Sequence, residues 1–202
     1  MISVLTELEK FEILTESCRV AIGSYQVWYA LERDGKEDYP DELSLFLDFF
    51  AVSAIGSFNT LVTATANLVD DSRKQFSIKT FLKKSQKAKL ETKKTWSEYT
   101  REYSALISKL VKIRNNSVAH SSDRQSEFEI FQAFGFRPDE VGEFLIKIRI
   151  FLQLLASDLG TSANISDSNR FGNCTLLLLS TIKQLPRVER QSVVARYLQD
   201  PK

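Results

Sequence analysis

The apolar residues of this chain recur every three or four positions over long stretches, which is the spacing of one face of an α-helix. Strand alternation does not replace this spacing even where threonine and valine are frequent. With only 7 glycines and 4 prolines in 202 residues, a turn-rich β fold is disfavoured. The chain is therefore predicted to be all-α. The clearest stripe contains Trp96, Tyr99, Tyr103, Leu106, Leu110 and Ile113.

Turn and capping residues divide this pattern into four main helices joined by short connections. The first helix ends before the sequence DGKEDYP, and the second begins after Asp41 as its N-cap. The third runs from about Thr95, and the fourth begins at Pro138 and ends at Gly160. Ser77 is predicted to cap a short basic helix before the third. Short turns favour antiparallel neighbours, so we expect an antiparallel four-helix bundle followed by a helical C-terminal extension.

The charges are strongly segregated although the net charge is only +1. Residues 1–72 carry 4 Lys and Arg against 13 Asp and Glu, whereas residues 73–114 carry 13 against 3. The basic segment is predicted to bind the phosphates of a polyanion such as RNA. A solvated helix face, or a dock for the acidic segment of a second copy, explains the same charges equally well. Its lysines are Lys83, Lys84, Lys87, Lys89, Lys93 and Lys94.

The N-terminal sequence and the cysteines give no sign of export. The first ten residues contain acids where a signal peptide needs a basic region, and the apolar run CTLLLL is far shorter than the roughly 20 residues of a membrane helix. The 2 cysteines, Cys18 and Cys174, form no CxxC motif and define no disulfide or zinc framework. We therefore expect a cytoplasmic protein that does not associate with membranes.

One polar group stands out at the end of the third predicted helix. Arg114 and Asn115 are followed by His120, which is the only histidine of the chain. Asn115 to Ser117 disfavour helix interiors, so we expect the helix to break there. A lone histidine on an apolar stripe is more often a core residue than a catalyst, and basic residues or asparagine are common at helix ends. Spacing alone does not distinguish the two roles.

The sequence RNNSVAH at this position resembles the signature of the HEPN superfamily, which is an arginine, a polar residue and a histidine five to seven positions after the arginine. Together with the upstream LVDDS, it is most similar to the abortive-infection U-type branch, over roughly residues 40–160. The resemblance implies a HEPN-like bundle over residues 1–160 and an extension, packed on that bundle, over residues 161–202.

The same resemblance implies a metal-independent RNA endonuclease that acts as a homodimer and serves as a toxin or antiphage effector. Arg114, Asn115 and His120 would be its catalytic residues, and we expect no metal or other cofactor. Some HEPN toxins carry a tyrosine two residues after the histidine that a partner enzyme modifies, but this chain has Ser122 there. A neutralising or effector partner protein is a further expectation. The alternative is a non-catalytic HEPN scaffold that binds a protein or nucleic acid.

The residue chemistry agrees with the cleavage interpretation. An imidazole exchanges protons near neutral pH, and a guanidinium can hold two phosphate oxygens. If both the acid and the base are imidazoles, the single histidine requires a second chain, which a twofold dimer supplies. Other enzyme classes have weaker support, because the sequence lacks a glycine-rich phosphate loop, an HExxH motif and a G-x-S-x-G elbow.

Overall fold

The computed structural model of the protein describes residues 5–70, 76–119, 135, 137–166 and 168–185, with the side chains of residues 116–119 left out. Within these ranges, helices are the only regular secondary structure. The predicted all-α class is thereby confirmed. The antiparallel arrangement of all four main helices and the division at residues 160 and 161 remain predictions.

The helices, in chain order, include a π-helical segment after the first. They are α1 (Glu7–Tyr29), the π-helical segment (Ala30–Gly35), α2 (Lys36–Asp38), α3 (Pro40–Leu45), α4 (Leu47–Val69), α5 (Ile78–Lys84), α6 (Leu90–Glu102), α7 (Ser104–Ala119), α8 (Pro138–Leu159) and α9 (Arg170–Gln184).

Two of the expected long helices are each divided in two. The N-cap predicted at Asp41 is wrong, because Tyr39 precedes the helix and Pro40 is its first residue. Proline suits that position, since its missing N–H would have no partner there. The same helix then breaks at Phe46, where φ is −125° and ψ is 45°. The third helix begins before Thr95 and is divided at Tyr103, where φ is −99° and ψ is 21°.

Several local predictions are confirmed by the geometry of the helix ends. The hydroxyl of Ser77 accepts a hydrogen bond of 3.3 Å from the backbone N–H of Thr80 and caps the short basic helix α5. Pro138 occupies the first turn of α8. Gly160 ends that helix with a φ of +71°, a left-handed conformation that glycine adopts without a steric penalty.

The chain forms two compact units, and α1 and α4 contribute residues to both. The first unit comprises residues 1–22 and 59–167, and the second comprises residues 23–58 and 168–202. The motif at Arg114 and the basic segment both lie in the first unit.

In the first unit, α6 and α8 pack against each other in antiparallel orientation. Residue numbers along α6 rise as those of their partners on α8 fall. The contacts join Thr92 to Asp158, Trp96 to Phe151, Tyr99 to Lys147 and Tyr103 to Phe144. The predicted stripe is buried, except for Tyr99, which is half-buried.

Asp158 fixes the start of α6 in this pair. Its Oδ2 accepts hydrogen bonds from the backbone N–H of Lys89 at 2.9 Å and from the hydroxyl of Thr92 at 2.6 Å. A carboxylate at this end of a helix also interacts favourably with the helix dipole. Burial raises the pKa of Asp158, but the hydrogen bonds from Thr92 and Lys89 outweigh it and hold this pKa below its usual value.

The second unit has its own apolar core, centred on the π-helical segment and α9. Leu31, Phe50, Ala54 and Leu179 are buried together there. Gly35 ends the π-helical segment, and a Cβ at this position would lie 2.8 Å from the carbonyl oxygen of Ala30. A π turn brings that carbonyl, five residues earlier, close to the glycine. The fit therefore requires a residue without a side chain.

Among the described residues, one helix is long and apolar enough to cross a membrane, namely α4. The part of α4 that belongs to the first unit is apolar because it lies in the protein core. Its residues Leu61, Val62, Ala66 and Leu68 are buried there. Core helices of soluble proteins have the same composition, so this is weak evidence for a membrane span.

Candidate functional site

The guanidinium of Arg114 is buried between the ends of α7 and α4. Its Nη2 donates a hydrogen bond of 2.7 Å to Oδ2 of Asp70, and its Nη1 donates one of 3.1 Å to Oδ1 of Asn67. The side chains of Arg114 and Asp70 are 9% and 14% exposed, so this ion pair is largely shielded from water. Shielding strengthens a charge pair and makes its orientation more specific.

The third partner of this guanidinium is the next residue of the motif. Oδ1 of Asn115 accepts hydrogen bonds from Nη2 of Arg114 at 3.0 Å and from Nε at 3.3 Å. Because a guanidinium only donates, this contact sets the amide oxygen of Asn115 inward. Asn115 is exposed, and within the described ranges its Nδ2 amide group has no hydrogen-bond partner. The site therefore presents an oriented N–H donor at the surface.

The helix break expected at Asn115 to Ser117 is wrong. Helix α7 runs without interruption from Ser104 to Ala119. Asparagine and serine each cost a helix only a few tenths of a kcal/mol, which packing of the buried face readily outweighs. The side-chain oxygen of Asn115 also bonds to Arg114, so it does not compete for its own backbone.

The third predicted catalytic residue, His120, lies outside the described residues, as does Ser122. The structure therefore places Arg114 and Asn115 together and leaves the position of His120 a prediction. A sequence comparison bears on the whole motif. The family model described as AbiU2, of the HEPN type, matches residues 8–171 of this chain.

The chain belongs to the AbiU2 family of HEPN proteins. The match contains the motif, the basic segment, α1 apart from its first residue, and helices α2 to α8. No curated protein and no solved structure shows significant similarity to this chain. The resemblance inferred from RNNSVAH is thereby confirmed at the level of the family.

The six lysines of the basic segment of this AbiU2-family protein lie on two helices and in the connection between them. Lys83 and Lys84 lie on α5, Lys93 and Lys94 on α6, and the other two between these helices. Nζ of Lys89 contacts Oδ1 of Asp158 at 3.2 Å. Lys83 and Lys93 line one pocket, whereas Lys84, Lys87, Lys89 and Lys94 are exposed and do not line it.

Asp70 and Asn67 are site residues that sequence reasoning did not assign. Asp70 lies in the LVDDS segment, at the end of an apolar helix, where a carboxylate needs a partner if it is to be shielded from water. An acidic residue at the end of an apolar helix could have been predicted to pair with Arg114, the first residue of the motif. Asn67 precedes it by three positions and so shares its helix face.

The cysteines and the acidic side chains add no second reactive centre among the described residues. No group of three or more His, Cys, Asp or Glu side chains is arranged there to hold a metal ion. Both cysteines are free thiols. Burial raises the pKa of Cys18 to about 12, although the charges of Arg149 and Arg19 lower it slightly. This thiol is therefore un-ionised at neutral pH.

Proposed function

We propose that this AbiU2-family protein is a metal-independent RNA endonuclease that acts as a toxin or antiphage effector in the cytoplasm. The observation that carries the proposal is the oriented Arg114–Asn115 pair within a family match that contains the whole motif. The pair holds a guanidinium and an exposed amide donor on one rigid helix end, and both groups are suited to a phosphate.

In the proposed reaction, the 2′-hydroxyl of the RNA attacks the adjacent phosphorus. One imidazole removes the proton of this hydroxyl as the new P–O bond forms. The P–O5′ bond breaks, and a second acid protonates the departing 5′-oxygen. The products are a 2′,3′-cyclic phosphate and a 5′-hydroxyl, and this route uses the ribose itself as the nucleophile.

The residues have different roles in this scheme. His120 transfers the proton. Asn115 donates from Nδ2 to a phosphate oxygen that gains negative charge. Arg114 keeps Asn115 in position through its two hydrogen bonds and keeps a positive charge near the site, although Asp70 partly neutralises that charge. Arg114 is thus first a positioning residue.

The proposed site is shared by two chains. If the acid and the base are both imidazoles, the second has to come from a neighbouring subunit, since each chain has 1 histidine. A twofold axis brings the same residue of each subunit to one cleft. We therefore propose a homodimer with one shared cleft and RNA as its substrate. A neutralising partner protein would act by covering this cleft or by preventing the dimer from forming.

The test is to incubate purified protein with RNA in the presence of EDTA and to analyse the ends produced. We expect cleavage that leaves 2′,3′-cyclic phosphate ends, survives EDTA and is lost in His120→Ala. Lys112→Gln is a suitable control, because Lys112 is exposed on the same helix and outside the motif. If no RNA is cleaved, or if His120→Ala cleaves as fast as the wild type, the endonuclease proposal is wrong.

One observation favours a second candidate function. Arg114 is largely buried and ion-paired to Asp70, which is also how a purely structural arginine is held. On this alternative, the protein is a non-catalytic HEPN scaffold for a partner protein or nucleic acid. Growth of bacteria that express wild type or His120→Ala distinguishes the two. The scaffold is supported if both cultures grow equally and the purified His120→Ala protein melts at a lower temperature than the wild type.

A further inference from the structure

A pocket of about 570 Å³ lies in the first unit between α5, α6 and α7. Its size is within the range of small-molecule sites, which is about 300–1,000 Å³. Three lysines and four hydroxyl groups surround a mostly apolar lining. The lining residues are Val69, Lys79, Leu82, Lys83, Lys93, Trp96, Ser97, Thr100, Ser104, Ile107 and Ser108.

All the charged side chains among the lining residues of this pocket are lysines. No carboxylate is among the side chains that line it. Among the described residues, Lys83 and Lys93 take part in no ion pair, and Nζ of Lys93 makes only a long contact of 3.4 Å with the carbonyl oxygen of Ser85. Lys83 from α5 and Lys93 from α6 meet at a pocket whose lining contains no carboxylate, and this arrangement favours an anionic ligand.

The hydroxyl groups and the apolar wall point to more than a bare anion. Ser97 and Thr100 donate to backbone carbonyls of their own helix, so their oxygens remain able to accept from a ligand. Leu82, Trp96 and Ile107 form an apolar floor that inorganic phosphate would leave unused. Trp96 is 2% exposed and packed on Phe151, so it serves as floor rather than as a stacking surface.

We propose that this pocket binds a nucleotide, with the phosphate at Lys83 and Lys93 and the nucleoside against the apolar floor. The pocket and the motif share structural elements. Ser108 precedes Arg114 by six positions on α7, a rise of about 9 Å along the helix. Val69, another lining residue, precedes the Asp70 that pairs with Arg114. The nucleotide is either free or part of an RNA strand that continues towards the motif.

The affinity is measured by calorimetry, and Trp96 reports where binding occurs. The chain has 2 tryptophans, so Trp28→Phe leaves Trp96 as the only indole. The ligands are adenosine and uridine monophosphates, the parent nucleosides, inorganic phosphate and an eight-residue RNA. The RNA titration uses a His120→Ala background so that the strand stays intact, and its outcome does not depend on whether the wild type cleaves RNA.

We expect saturable binding of the monophosphates, a change in Trp96 fluorescence, and weaker binding of the nucleosides and of inorganic phosphate. Lys83→Gln and Lys93→Gln should each weaken the affinity about tenfold, because each removes one charge-assisted contact. Lys84→Gln and Lys94→Gln, which lie outside the pocket, should leave the affinity for the monophosphates unchanged. Tight binding of the free monophosphate identifies a free ligand. Tight binding of the RNA alone, if sensitive to Lys83→Gln, identifies a strand.

Three results would overturn the proposal. The first is that neither the monophosphates nor the RNA bind at millimolar concentration. The second is that inorganic phosphate binds as tightly as the monophosphates. The third is that the four lysine variants lose affinity equally, which would indicate general surface attraction. Because binding is measured without cleavage, an inactive nuclease that still binds nucleotide refutes only the proposed function.

Discussion

Nη2 of Arg114 lies 2.7 Å from Oδ2 of Asp70, so the first residue of the motif is paired with the residue that directly follows helix α4. This ion pair joins α7 to the end of α4. The pair therefore links the stability of the first unit to the geometry of the proposed site.

Asp70→Asn should destabilise the protein by roughly 2–4 kcal/mol in free energy of unfolding, because it leaves a shielded guanidinium without its counter-charge. Urea unfolding followed by circular dichroism measures the change. Glu98→Gln removes an exposed carboxylate in the middle of α6 and should change stability by less than about 0.5 kcal/mol. Equal, small effects of the two substitutions would show that the ion pair is energetically neutral.

Asn115→Asp tests the role proposed for the amide donor. Aspartate still accepts from Arg114 but has no N–H group, so stability should be retained while the cleavage rate falls about a hundredfold. Asn115→Ala should lower both the stability and the cleavage rate, because it also removes the acceptor for two hydrogen bonds from Arg114. Rates of RNA cleavage and thermal melting are measured on both variants. An active Asn115→Asp protein would exclude Nδ2 from the chemistry.

Mixed dimers test whether two histidines share one cleft. If one imidazole from each subunit is needed, activity should fall with the square of the wild-type fraction when wild type and His120→Ala subunits are exchanged. The cleavage rate is measured over a series of mixing ratios at constant total protein. A linear fall would mean that each chain carries its own acid and base.

Asp158→Asn should cost about 1–3 kcal/mol at neutral pH, because the side chain is shielded and accepts two hydrogen bonds at the start of α6. The pKa of Asp158 in the folded protein lies below its usual value. Its ionised form therefore stabilises the fold above the unfolded pKa of about 3.9, and this contribution is lost as the pH falls through the lower folded pKa.

The difference in unfolding free energy between the wild type and Asp158→Asn should accordingly be largest near pH 7 and shrink towards pH 3. Urea titrations at several pH values measure it. Lys89→Ala is the control, since Nζ of Lys89 is exposed and its backbone N–H remains, so the loss should be at most about 1 kcal/mol. A difference that is independent of pH would contradict the role of the carboxylate charge.

Two glycines in helical segments should respond to alanine in opposite directions. Gly35→Ala should destabilise the protein by about 1–3 kcal/mol, because the new Cβ would lie 2.8 Å from the carbonyl oxygen of Ala30. Gly56→Ala should stabilise it by about 0.5–1 kcal/mol, because an added Cβ would meet no atom within 4 Å beyond its own stretch of helix and alanine favours helix. Melting temperatures of the two variants measure these effects. A Gly35→Ala protein more stable than the wild type would contradict the predicted clash between the new Cβ and the carbonyl oxygen of Ala30.

The sequence predicted what depends on local periodicity and on capping chemistry. The stripe from Trp96 to Ile113, the cap at Ser77 and the stop at Gly160 all follow from neighbours within a few positions. The division of helices at Phe46 and Tyr103 did not follow, because neither residue is a helix breaker. Tyr103 stacks on Phe144 of α8, and Phe46 packs against the apolar core of the second unit, so each contact involves residues outside the local pattern.

The candidate site was predicted in part for the same reason. Arg114 and Asn115 are adjacent in sequence, and the family signature marks them. Asp70 and Asn67 lie more than forty positions away, so no local pattern connects them to the motif. The lysines were predicted as one group from their density, and that density did not indicate that Lys89 pairs with Asp158, a residue 69 positions away.

The unbroken course of α7 has a consequence for sequence drift in this protein. Each residue added to an α-helix turns everything beyond it by 100°. An insertion or deletion between Ser108 and Arg114 would therefore rotate the guanidinium away from the carboxylate of Asp70, whatever residue type was involved. The exposed positions of this stretch can change in chemical character, but its length has to stay fixed.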